Sequence, residues 1–264
     1  AESTSCDACP AGSVPNSKNS KCVPCSAGLW SADPTRGCAG CRAGSVTDTL
    51  GRAGAGSCEL CPEGRYSADA RSACIACAAG HYANETGLVE QSDCKACPSG
   101  RYVSASGSTK VEDCIACVAG QHQSARGQSS CVACVVGMFE PATGSAALAC
   151  RACGAGMYQD AVSQGFCKSC PAGYRKQDGT SCDGCGVGRF SSVESESCDS
   201  CAMGQYAEGV KSAKCKSCPE GYAQPQRQQL RCDRCAAGTA SVAGSQSCSE
   251  CGAGTYYEGT DCHP

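Results

Sequence analysis

Most of the aromatic residues of this chain fall on one recurring slot, and cysteines set the beat that places it. Fifteen C-x-x-C pairs follow one another at intervals of 15 to 20 residues, from Cys6/Cys9 to Cys248/Cys251, and Cys262 opens a further pair. Three residues after the second cysteine of every pair stands a glycine, from Gly12 to Gly254. Two residues on, the slot holds Trp30, Tyr66, Tyr82, Tyr102, Phe139, Tyr158, Phe190, Tyr206 and Tyr256. Tyr174 and Tyr222 are displaced from it by one residue, and Val14, Val46, His122 and Ala240 are smaller or more polar occupants. Polar runs such as Ser104 to Thr109 then lead to the next pair.

This pattern predicts β-hairpins. A position that excludes every Cβ needs φ > 0 or close backbone approach, so the glycine reads as a turn or bulge that starts a strand. Between the second cysteine of one pair and the first of the next lie 10 to 16 residues. A hairpin tip absorbs such variation in length easily, and a helix does not. The residue before the second cysteine is small in most pairs, as at Gly40, Ala76, Ala96, Ala116 and Ser217, which predicts close packing there. One large side chain per unit gives a ladder of small contacts between consecutive units.

Composition explains why cross-links are needed. The 264 residues include 31 Cys but only three Phe, three Met and one Trp, too little bulk for a sizeable core. Cysteine at this density belongs to exported disulfide scaffolds. The net charge of −3 comes without any block of one sign, so nothing marks a nucleic-acid or anionic-lipid surface. The longest apolar stretches, such as Ile75 to Ala79, are far short of a membrane span. The start at Ala1 lacks signal-peptide character, as expected of a mature or internal fragment.

Residue arithmetic narrows the pairing without closing it. If each second cysteine bonds the first of the next pair, the bonds run Cys9 to Cys22, Cys25 to Cys38, Cys41 to Cys58, Cys61 to Cys74 and Cys77 to Cys94. They continue Cys97 to Cys114, Cys117 to Cys131, Cys134 to Cys150, Cys153 to Cys167 and Cys170 to Cys182. The last would be Cys185 to Cys198, Cys201 to Cys215, Cys218 to Cys232, Cys235 to Cys248 and Cys251 to Cys262, leaving Cys6 over. Bonds inside each C-x-x-C would instead strand Cys262, and such tight rings belong to redox sites. Zinc ribbons use the same spacing, but an odd number of pairs cannot be grouped into four-ligand sites.

The segments Cys61-Pro62-Glu63-Gly64-Arg65-Tyr66 and Cys97-Pro98-Ser99-Gly100-Arg101-Tyr102 carry a family resemblance. The chain resembles cysteine-rich ephrin-receptor-like repeats, and the first small module of tumour-necrosis-factor-receptor repeats. In that module the corresponding pairing closes the hairpin, which supports the first scheme above. Proline after the second cysteine recurs only at Pro10, Pro62, Pro98, Pro171 and Pro219, and the further cysteines of larger receptor modules are missing. Uninterrupted arrays of this kind are similar to large surface proteins of protists and algae, including mastigoneme proteins and variant surface antigens.

The expected fold class is small disulfide-rich β: an elongated tandem array of short disulfide-closed β-hairpin repeats with no central hydrophobic core. Residues 1–264 form one continuous array of about fifteen repeats, truncated at both ends. No catalytic constellation, metal site or cofactor site is expected. His81, His122 and His263 lie in separate units and read as packing or surface residues, and acidic residues are scattered singly. Asn84-Glu85-Thr86 is the N-glycosylation sequon, so Asn84 is the candidate glycan site. The leading function is a non-enzymatic extracellular structural protein, a disulfide-laddered rod in a surface filament or stalk of mastigoneme type, possessing copies of itself or other chains of the assembly as partners. Its place would be the cell surface, including a flagellar surface. The alternative is a ligand-binding receptor or surface-antigen ectodomain.

Overall fold

The computed structural model describes residues 9–69, 73–258 and 261–263. Cys6 and the other residues before Cys9 lie outside the described residues. Strands of two or three residues pair with their sequence neighbours into two-stranded antiparallel sheets. There is no α-helix among the described residues, only three single turns of 3-10 helix at Pro34–Arg36, Gln91–Asp93 and Val111–Asp113. Those turns sit in stretches that the sequence marks only as polar tips.

Each hairpin starts from the turn that the glycine makes possible. In Pro62-Glu63-Gly64-Arg65 the Arg65 amide donates to the Pro62 carbonyl at 3.2 Å, and Gly64 has φ +77°. A positive φ at the third residue is what a type II turn requires, and glycine adopts it without steric cost. The chain then runs two residues, Arg65–Tyr66, and returns as Ile75–Ala76, with Tyr66 opposite Ile75. A disulfide closes the hairpin between Cys61 and Cys74. The same closure recurs from Cys9–Cys22 to Cys251–Cys262, with separations of 11 to 17 residues.

The chain divides into two compact units. The first comprises Ala1–Val132 with Ala142–Ala149, and the second Ala133–Pro141 with Cys150–Pro264. Inside each, burial is local. Within the first unit Cys77, Ala83 and Cys94 form a small cluster with Tyr66 and Leu88 packed against it. Cys97, Val103 and Cys114 form the next, covered by Tyr82. An aromatic ring thus rests on the disulfide of the following hairpin, which is where a half-buried ring finds apolar cover. In the second unit the fully buried side chains include Gln159, Glu140 and the half-cystines Cys170, Cys185 and Cys201, rather than large hydrophobics. Disulfide sulfur takes the volume that Leu or Phe would fill in a larger domain.

Candidate functional site

The recurring feature with a definite job is a backbone latch between hairpins. In the first unit, the Gly64 amide donates to the Ala83 carbonyl at 2.9 Å, and the Ser67 amide to the Leu88 carbonyl at 2.9 Å. The Gly87 amide returns a bond to the Cys61 carbonyl at 2.8 Å. Three backbone bonds therefore tie the Cys61–Cys74 hairpin to the Cys77–Cys94 hairpin. The second unit repeats them between the Cys185–Cys198 and Cys201–Cys215 hairpins: Gly188 to Ala207 at 3.3 Å, Ser191 to Ser212 at 3.3 Å, and Lys211 to Cys185 at 2.7 Å.

The latch also reaches the second neighbour, beyond the consecutive-unit ladder that the sequence implies. A Cβ on Gly64 would collide with the carbonyl oxygen of Gly107, two hairpins on, and one on Gly100 with that of Gly144. In the second unit Gly173 stands in the same way against Lys211, and Gly204 against Gly244. The glycine is therefore demanded twice, by its φ and by a backbone pressed against its Cα. The small residue before the second cysteine has its reason here too. Ala76 and Ala116 face the tip glycines Gly107 and Gly144, with 3.5 and 3.6 Å to an added Cβ.

At the tip the contacting residue itself adopts a positive φ. In the first unit Gly87 (φ +76°), Gly107 (+79°) and Gly127 (+69°) hold this position. In the second, Glu194 (+60°), Lys211 (+64°) and Gln228 (+62°) do so despite their side chains. Such residues are strained there, so the latch overrides local preference.

Sequence reasoning missed a buried position directly after the aromatic slot. Ser31, Ser67, Ala83, Val103 and Gln123 hold it in the first unit, and Gln159, Ser191, Ala207, Gln224 and Ser241 in the second. Its residue types are too mixed to form a motif. The glutamines share one geometry: Gln159 Nε2 donates to the Phe166 carbonyl at 2.7 Å while its Oε1 accepts from the Ala161 amide at 3.1 Å. Gln123 and Gln224 brace their own tips likewise. The recurrence of Gln one residue past the slot in hairpins of equal span was the available signal.

Single acidic residues act as turn braces. Asp93 accepts from the Glu90 and Val89 amides at 3.0 and 2.9 Å, and those bonds hold its carboxyl below the ordinary range. The Thr35 hydroxyl and amide do the same for Asp33, and those of Thr180 for Asp178. Exposed pairs Lys95–Glu85, Lys168–Asp160 and Lys216–Glu208 span 2.7, 2.6 and 3.0 Å across single hairpins. Solvated pairs of this kind add little stability.

Asn84 is exposed on the Cys77–Cys94 hairpin, and its Oδ1 accepts from Lys95 Nζ at 2.8 Å. His81 Nδ1 lies 3.3 Å from the Ala79 carbonyl, and His122, nearly buried, has Nδ1 2.9 Å from that of Ala147. Among the described residues no three His, Cys, Asp or Glu side chains are grouped to hold a metal ion. No helix among them is long and apolar enough to cross a membrane.

Residues 64–114 match the family described as tyrosine-protein kinase ephrin type A/B receptor-like. That segment contains the Cys77–Cys94 and Cys97–Cys114 hairpins whole, and the same closure recurs on both sides of it. Sequence and fold fit a cysteine-rich ephrin-receptor-like repeat array. No curated protein matches the chain. A receptor-like repeat with this disulfide density points to an extracellular or cell-surface domain, and the matching family is not one of enzymes.

Proposed function

We propose that the chain is a structural component of an extracellular assembly, a disulfide-laddered shaft in a surface filament or stalk, with mastigoneme-type hairs on a flagellar surface as the specific version. The observation that carries this reading is the latch. In each unit the main chain itself ties hairpin to hairpin, as Gly64 to Ala83 and Gly173 to Ser191, leaving the exposed side chains free to vary. Tension along such a chain is met by covalent loops and short-range backbone bonds rather than by a single core. On this reading residues 1–264 act as one continuous array, and its partners are copies of itself or other chains of the assembly. The sequon at Asn84 would carry a glycan, since its side chain is exposed.

A receptor or surface-antigen ectodomain is the second reading, favoured by the receptor-like family that residues 64–114 match. Negative-stain imaging of the native assembly, with sedimentation of material from its natural source, separates the two. Regular filaments containing the chain support the shaft. A monomer that binds one ligand at particular hairpins supports the receptor.

A further inference from the structure

We infer that the Cys25–Cys38 hairpin carries a binding site for a neutral pyranose sugar, centred on Trp30. The inference does not rest on the filament reading. It starts from a departure from the repeat. Residues paired across an antiparallel ladder share a face, so the partner of the aromatic slot covers its ring. That partner is long in most of the other aromatic hairpins, as Ile75 opposite Tyr66, Ile115 opposite Tyr102, Lys168 opposite Tyr158 and Lys216 opposite Tyr206, while Phe190 faces Asp199. Lys168 Nζ stands 5.8 Å from the Tyr158 ring centre. Trp30, the largest ring of all, faces Ala39.

The missing cover leaves a groove of about 320 Å³, lined by Trp30, Ala32, Asp33, Arg36, Gly37 and Ala39. An added Cβ on Gly37, in the lining of the groove, would meet nothing within 4 Å, so the groove is open there. The volume lies at the lower end of small-molecule pockets, about 300 to 1,000 Å³.

The rim selects the chemistry. Asp33 stays anionic because the Thr35 hydroxyl and amide hold its Oδ1, at 2.7 and 2.9 Å. Its Oδ2 lies 3.8 Å from Arg36 Nε, and the Arg36 side chain is 87% exposed. The groove thus offers a flat apolar face beside one acceptor and one fork of donors, with their charges cancelling. A pyranose matches that set: its C–H face stacks on an aromatic ring while its hydroxyls both donate and accept. A charged ligand of either sign would meet a like charge at one end of the pair. A proline-rich peptide needs a run of aromatic ridges, and this groove holds one ring.

Trp30 is the one tryptophan among these 264 residues, so fluorescence of this chain excited selectively at tryptophan reports the groove. The protein is titrated with cellotriose, mannotriose, xylotriose and tri-N-acetylglucosamine, and separately with an oligoproline peptide. We expect a saturable spectral change with at least one saccharide, unaltered by added salt. Ala39→Lys, which supplies the long partner found at Lys168 and Lys216, should weaken it at least about tenfold. Non-reducing peptide mapping confirms that the variant keeps its fold. The inference is overturned if no saccharide saturates, if Ala39→Lys binds as tightly as the native chain, or if only oligoproline gives the response.

Discussion

Gly64 and Gly107, two hairpins apart, meet main chain to main chain: the carbonyl oxygen of Gly107 occupies the space that a Cβ on Gly64 would need. Gly64→Ala should therefore destabilise the surrounding hairpins by about 2 kcal/mol or more, since left-handed strain alone costs about 1 to 2 kcal/mol and the overlap adds to it. Gly238 has φ +84° but nothing within 4 Å of an added Cβ, so Gly238→Ala should show the conformational cost alone. Hydrogen exchange of the Gly107 and Cys77 amides, with thermal unfolding, compares the two variants. Equal effects would remove the second-neighbour contact from the account of stability.

Gln159 is fully buried and holds both sides of its hairpin tip. Gln159→Ala leaves the Phe166 carbonyl and Ala161 amide without these partners, at a cost of about 1 to 3 kcal/mol. We expect faster exchange at the Ala161 amide, confined to the Cys153–Cys167 hairpin and its latch partners. Exchange unchanged from the native chain would show that water replaces the side chain without penalty.

Replacing Cys77 and Cys94 together by Ala opens a loop of 17 residues and removes the surface on which Tyr66 rests. The loss should be about 3 kcal/mol from chain entropy alone, and the perturbation should extend back to the Cys61–Cys74 hairpin. Non-reducing peptide mapping of the native chain should recover Cys77 linked to Cys94. A peptide linking Cys74 to Cys77 would overturn the pairing.

Asp93 titrates below an ordinary aspartate because the folded chain directs the Glu90 and Val89 amides at its ionised form. A depressed folded pKa means that the stabilisation is complete above the unfolded value and is lost as pH falls through the folded one. The Glu90 amide resonance should therefore shift in acid, below the ordinary aspartate range. Asp93→Asn should abolish that transition while leaving the turn near neutral pH. A transition at the ordinary aspartate value would show that the two amide bonds are not formed in solution.

The hairpin itself was legible in the residues. Glycine three places after each second cysteine, with a following aromatic, encodes a turn and a strand start that need only local geometry, as at Pro62 to Tyr66. Close packing at the small position was legible as a constraint, but its partner was not: Ala76 meets the tip glycine Gly107. The buried position at Ser67, Ala83 and Gln159 went unseen because each residue satisfies it by a different bond or by size alone. The 3-10 turns at Gln91–Asp93 and Val111–Asp113 hid inside polar tips for a similar reason, since their braces are single aspartates.

By itself the sequence determined the size of the unit, the glycine turn that opens it and the small, cysteine-centred burial that replaces a core. Those features follow from steric limits on single residues and from the supply of apolar side chains. On residues alone the cysteine pairing stayed open, and its hairpin closure followed from the family resemblance. Only the tertiary structure decided that Gly64 is latched to Ala83 and pressed against Gly107, and that Trp30 is paired with the small Ala39. The latch is made of amides and carbonyls, which every residue carries, so it leaves almost no side-chain signature except the glycine it forbids to change.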